Sequence, residues 1–182
     1  LFLVAFFALL GGGLAVVPLF NLLGYESSLI LSICISLAGV RQGAAVVRTA
    51  RLRMQAGIEL AAREDAIQQR PLAAMFGLFL RALVGTLALL VLPLVILLLN
   101  GLRVRNCNYL AGFGFFLMMP VLSAACAATV GVVTALCAVP RRASLRSLRG
   151  LALGYGVLLG SALIGFWRFL SSPAIFAYNA FI

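Results

Sequence analysis

Five apolar runs, at about residues 1–20, 25–42, 80–100, 110–139 and 151–170, are separated by arginines that crowd onto alternate connections. That pattern leaves little choice of solvent. A soluble domain of this size keeps roughly a third of its unfolded-chain surface in water. A chain that is 64% hydrophobic and 10% charged has too little polar surface to cover it, where an average soluble domain carries roughly 25% charged residues. With a mean hydropathy of +1.18, the medium around most of this polypeptide is hydrocarbon. The expected fold is an all-α integral membrane bundle of about five transmembrane helices, each satisfying its own backbone hydrogen bonds.

Each run implies a particular element. The first, 1–20, is uncharged and long enough for a hydrocarbon core of roughly 30 Å. It lacks the basic n-region of a signal peptide, and Gly11, Gly12 and Gly13 interrupt it, so it reads as a true span. The second run, 25–42, is long enough only if it includes Tyr25 to Ser28, which puts Glu26 in the first turn, where the helix macrodipole favours a carboxylate. From 43 to 69 the chain becomes charged, while Val47, Ala50, Met54, Ile58 and Ala61 keep steps of three and four. That spacing predicts one cytoplasmic amphipathic helix between spans 2 and 3. Pro71 ends it and opens the next helix.

The run 110–139 would measure about 45 Å as one straight helix, too long for an untilted span. Pro120 and the preceding Gly112 and Gly114 predict a bend there, or a re-entrant half-helix. Residues 1–182 therefore read as a single membrane domain. The first residue is Leu and the last Ile182, which leaves room for a longer parent chain.

Orientation follows from arginine placement, because short cytoplasmic loops carry the excess of basic residues. Arg41, Arg48, Arg51, Arg53, Arg63, Arg70, Arg81, Arg141, Arg142, Arg146 and Arg149 make eleven on one side, against Arg103, Arg105 and Arg168 on the other. The expected location is a bacterial cytoplasmic (inner) membrane, with the C-terminus outside. The net charge of +10 is accounted for by this asymmetry; no nucleic-acid partner is expected, since that role needs a basic patch on a water-facing fold. Arg48, Arg51, Arg141, Arg142, Arg146 and Arg149 form a basic cytoplasmic surface suited to anionic lipid headgroups, each worth roughly 1 kcal/mol near the surface.

Chemistry is sparsely provided. The chain has no His, no Lys, and only Glu26, Glu59, Glu64 and Asp65 as carboxylates. The commonest general base and metal ligand is therefore missing, no carboxylates pair at membrane depth, and neither catalysis nor a cofactor is expected. Cys34, Cys126 and Cys137 lie in apolar runs and read as small hydrophobes. Cys126 and Cys137 are about 16 Å apart along one helix, beyond the roughly 7 Å that a disulfide spans. Cys107 falls on the outer loop, where a bridge to another chain or a lipid attachment is the alternative to a free thiol.

The sharpest local pattern concerns helix contact. Gly156 and Gly160 form a GxxxG step, Ser161 and Gly165 a second small step, and Ser123 to Gly131 is built almost entirely of small residues, with Ala124, Ala128 and Gly131 as its candidate packing or partner-interface positions. In lipid, where helices gain no hydrophobic drive toward one another, small residues let backbones approach and van der Waals contact does the rest. Such faces pack within one chain or dock other membrane subunits. Glu26 is the candidate polar residue at membrane depth, weighed against an interfacial position at the helix start. The expected role is a non-catalytic membrane subunit or anchoring domain of a larger assembly. The alternative is a permease component for a hydrophobic or lipid-like substrate. Glu59 to Ala62 lacks the glycine that a permease coupling loop carries at that spacing, so no family resemblance follows.

Overall fold

The computed structural model of the chain describes residues 2–18, 23–55, 71–103, 109–138 and 143–171. Those residues form helices with no strand among them: α1 (Phe2–Val16), α2 (Tyr25–Gln55), α3 (Pro71–Arg103), α4 (Tyr109–Phe116), a π-turn (Leu117–Val121), α5 (Leu122–Cys137) and α6 (Ala143–Ser171). Among the described residues, four stretches are long and apolar enough to cross a bilayer, namely Tyr25–Arg53, Ala73–Arg103, Tyr109–Cys137 and Leu148–Arg168. The chain is thus an integral membrane protein, helical throughout its described core. The expected first span is realised as only 15 residues, about 22 Å at 1.5 Å per residue, short of a roughly 30 Å core.

The bundle alternates direction. Gly39 and Gly43 of α2 meet Ala127 and Val132 of α5, and Leu23 meets Gly112, so α2 runs parallel to the α4–α5 segment. Gly150 meets Ala135 and Gly154 meets Thr134, which sets α6 antiparallel to α5. Gly11 abuts Pro93, and the Asn100 amide donates to the Ala15 carbonyl at 3.3 Å, so α1 runs beside the C-terminal half of α3.

Two expectations change form. No break separates the second span from the amphipathic segment: α2 is continuous through residue 43 for 31 residues. Gly43 is a contact point rather than a terminator, and Ala44 and Val47 pack with Ala82, Ala128, Val132 and Ala135. Ala44 and Val47 of the expected cytoplasmic helix thus pack in the bundle, whereas Arg48, Leu52 and Arg53 are exposed, and 56–69 lies outside the described residues. At Pro120 the helix is not interrupted but widened. Proline has no N–H for the usual bond and crowds the preceding turn, and a single π-turn absorbs the defect between Phe116 and Leu122, both with helical backbone angles. Tyr109–Cys137 is consequently one helical stretch, long and apolar enough to cross a bilayer.

The core has two layers. Near one end, Phe7, Leu14, Leu31, Ile35, Leu97 and Phe116 are buried together. Toward the other, the side chains shrink to Ala and Val, because the α2 and α5 backbones nearly touch there. Three buried hydroxyls bond within their own helices. Ser32 donates to the Ser28 carbonyl, Ser36 to that of Ser32 and Thr86 to that of Ala82, each at 2.8 Å. This back-bonding to the carbonyl four residues earlier lets polar side chains lie in an apolar bundle.

Candidate functional site

Of the small residues that the sequence puts forward, those on α5 do pack within the chain. Ala124 and Ala128 are fully buried. A methyl group on Gly131 would stand 2.8 Å from the Cα of Val40, on α2. The matching face of α2 is Gly39 and Gly43, a GxxxG step in its own right. A methyl on Gly39 would lie 2.8 Å from the Ala127 Cβ, and one on Gly43 would lie 2.7 Å from the Val132 nitrogen. The seam is close-packed backbone against backbone.

The face of α6 that enters the bundle is set by Gly150 and Gly154. A methyl on Gly150 would sit 3.1 Å from the Ala135 Cα, and one on Gly154 would sit 2.5 Å from a Val40 methyl. Tyr155 completes this contact by donating to the Leu37 carbonyl at 3.3 Å. Gly156 follows Gly154 by two residues, about 200° around the helix, so the Gly156–Gly160 step points away from the bundle. A methyl on either would meet nothing within 4 Å. Leu153, Leu163 and Trp167 share this outer face, and all three are exposed. Ser161 and Gly165 are half-buried, with the Ser161 hydroxyl donating to the Leu158 carbonyl at 2.8 Å. Only 17% of the apolar window of α6 is buried, against 56% for α2.

The charged residues separate by end. Glu26 lies in the first turn of α2 with its side chain exposed, at the end where the turn at Leu23 and Gly24 precedes the helix. Arg48 and Arg149 are exposed at the other end, and Arg146 belongs to the first turns of α6. Arg51 is half-buried and donates to the Leu136 carbonyl at 3.4 Å. That carbonyl is among the last of α5, where a cation is favoured by the exposed acceptors and the helix dipole. Arg141, Arg142 and Cys107 lie outside the described residues. Cys34 and Cys126 are half-buried free thiols, and Cys137 is an exposed one.

An apolar groove of about 300 Å3 opens between α3 and α5, lined by Met75, Phe76, Phe79, Thr129, Val132 and Val133. Among the described residues, no cluster of three His, Cys, Asp or Glu side chains could hold a metal.

Two packing steps, Gly39–Gly43 and Gly150–Gly154, escape the sequence reading. Each has the GxxxG signal, but the first encloses Arg41 and Gln42 and the second abuts Arg149, so both look like the polar ends of spans. Compared with known proteins, the chain matches no family model, no curated protein and no solved structure.

Proposed function

We propose that this chain is a non-catalytic membrane subunit or anchoring domain that recruits another membrane protein through the outer face of α6. The observation that carries the reading is the pair Gly156 and Gly160: a close-approach step with nothing within 4 Å of either position, on the helix least buried by its own chain. The same type of step elsewhere in this chain, Gly39–Gly43 and Gly150–Gly154, is occupied by a neighbouring helix. Small residues on a lipid-facing surface give up side-chain contact with lipid and gain it only when another backbone arrives. In this reading the arginine-rich end faces the cytoplasm of a bacterial cell and the C-terminus lies outside, as the excess of basic residues near the span ends favours.

Extraction in a mild detergent followed by mass spectrometry of co-purifying chains tests the proposal. A stoichiometric membrane partner is expected; a chain that emerges alone and monodisperse removes it. The second reading, a permease component for a hydrophobic or lipid-like substrate, draws on the groove between α3 and α5. Substrate movement by the chain reconstituted alone would favour that reading over the first.

A further inference from the structure

We propose that Arg51 and the groove between α3 and α5 together bind one anionic phospholipid, its phosphate on the guanidinium and an acyl chain along the groove. This goes beyond diffuse attraction of headgroups to a basic surface, and it does not depend on what α6 recruits.

The two halves of the site are continuous. Val132 and Val133 line the groove, and Leu136, three and four residues further on, lies on the same face of α5. The Arg51 guanidinium donates to the carbonyl of that residue at 3.4 Å, one helical turn beyond the groove lining on α5. From Leu136 back to Thr129 the helix rises about 10 Å, a track running from the charged end into the apolar part of the bundle.

Among the described residues, no carboxylate stands at this end. Arg51 is half-buried and has five N–H donors, of which one bond to a carbonyl uses a single one. Glu26 is the only carboxylate among the described residues, and it lies 25 positions back on α2, about 38 Å away. Arg48, Arg53 and Arg149 are exposed at the same end. A phosphate diester is an anion in the form that arginine recognises best. The groove is lined by hydrocarbon, aromatic rings and one threonine, whose hydroxyl is already directed to the Ala125 carbonyl at 2.9 Å. It offers nothing to a free inorganic anion and everything to an acyl chain.

The test uses the full chain in phosphatidylcholine bilayers containing a minor fraction of phosphatidylglycerol, with the lipid retained after extraction measured by native mass spectrometry. Retention of one phosphatidylglycerol in preference to phosphatidylcholine is expected. Arg51→Gln should lower that preference about fivefold, the equivalent of roughly 1 kcal/mol for one arginine near the surface. Val133→Trp, placed where the side chain is already exposed, should fill the groove and reduce retention of the lipid without touching the charge. Arg103→Gln, at the opposite end of α3, should change nothing. Equal retention of the two lipids, an Arg51→Gln variant that keeps the preference, a Val133→Trp variant that keeps the lipid, or displacement of the lipid by inorganic phosphate would each overturn the proposal. If Arg51→Gln fails to fold, the Val133→Trp result decides.

Discussion

Gly43 and Gly131 face each other so closely that a methyl group on Gly43 would stand 2.8 Å from the Gly131 carbonyl carbon. A methyl on Gly131 would in turn stand 2.8 Å from the Cα of Val40, one turn earlier on α2. Neither glycine can acquire a side chain unless two backbones separate, and no flexible side-chain end is available to yield. Gly43→Ala and Gly131→Ala should therefore each lower stability by about 1–3 kcal/mol, the usual range for overpacking a rigid contact. Thermal unfolding in detergent is the measurement. Melting temperatures unchanged in both variants would mean that α2 and α5 are not this close.

The triplet Gly11, Gly12 and Gly13 provides a comparison within one helix. A methyl on Gly11 would lie 2.8 Å from the Pro93 Cα, whereas Gly12 and Gly13 have nothing within 4 Å. Gly11→Leu should detach α1 from α3 and expose it to protease, while Gly12→Leu should leave digestion unchanged. The Asn100 amide bond to the Ala15 carbonyl adds little, because interhelical hydrogen bonds in membranes average roughly 0.6 kcal/mol. Asn100→Ala should sit between the two variants and near Gly12→Leu. Equal protease sensitivity of Gly11→Leu and Gly12→Leu would argue against the contact with Pro93.

Gly156→Leu and Gly160→Leu probe the other face of α6. Both positions are open, so the isolated chain should keep its melting temperature, since exposed substitutions usually stay within about 0.5 kcal/mol. Recovery of the partner in mild detergent should fall at least tenfold. Gly154→Leu should do the reverse in part, lowering the chain's own stability, because even a methyl there would stand 2.5 Å from a Val40 methyl. Loss of chain stability in Gly160→Leu, or undiminished partner recovery in both outer-face variants, would remove the basis for a docking surface there.

Much of this arrangement is legible in the sequence because lipid reduces the problem to span length, arginine placement and small-residue spacing. The helical, membrane-spanning character follows directly, although the sequence reading expects five spans and four described stretches are long and apolar enough to cross a bilayer. Pro120 announces a disturbance, but whether a proline kinks a helix, breaks it or widens one turn depends on what holds the two sides. Here Gly112 against Leu23, in the turn before α2, and Gly131 against Val40 of α2 fix both flanks. The continuity of α2 past Arg41 was obscured for a related reason. Charge marks where a helix leaves hydrocarbon but says nothing about where it stops, and Val47 is buried six residues beyond Arg41. The two faces of α6 are a matter of phase: Gly150–Gly154 and Gly156–Gly160 carry the same signal, and only the position of Val40 and Ala135 decides which one the chain uses itself.

The alternating directions of the helices fix which arginines share an end, and that can be measured without a partner. Arg53 closes α2 and Arg149 lies in the second turn of α6, at one end of the bundle, while Arg103 closes α3 at the other. Single cysteines introduced as Arg53→Cys, Arg149→Cys and Arg103→Cys, in a background without the native thiols, can be challenged with a membrane-impermeant maleimide on intact cells. Position 103 should react, and positions 53 and 149 should react only after the membrane is opened, because basic residues near span ends are retained on the cytoplasmic side. Reaction of 53 and 149 together with protection of 103 would invert the orientation while keeping the bundle. Different behaviour at 53 and 149 would be more serious, because α2 and α6 then could not meet at Val40 and Gly154 as their antiparallel packing requires.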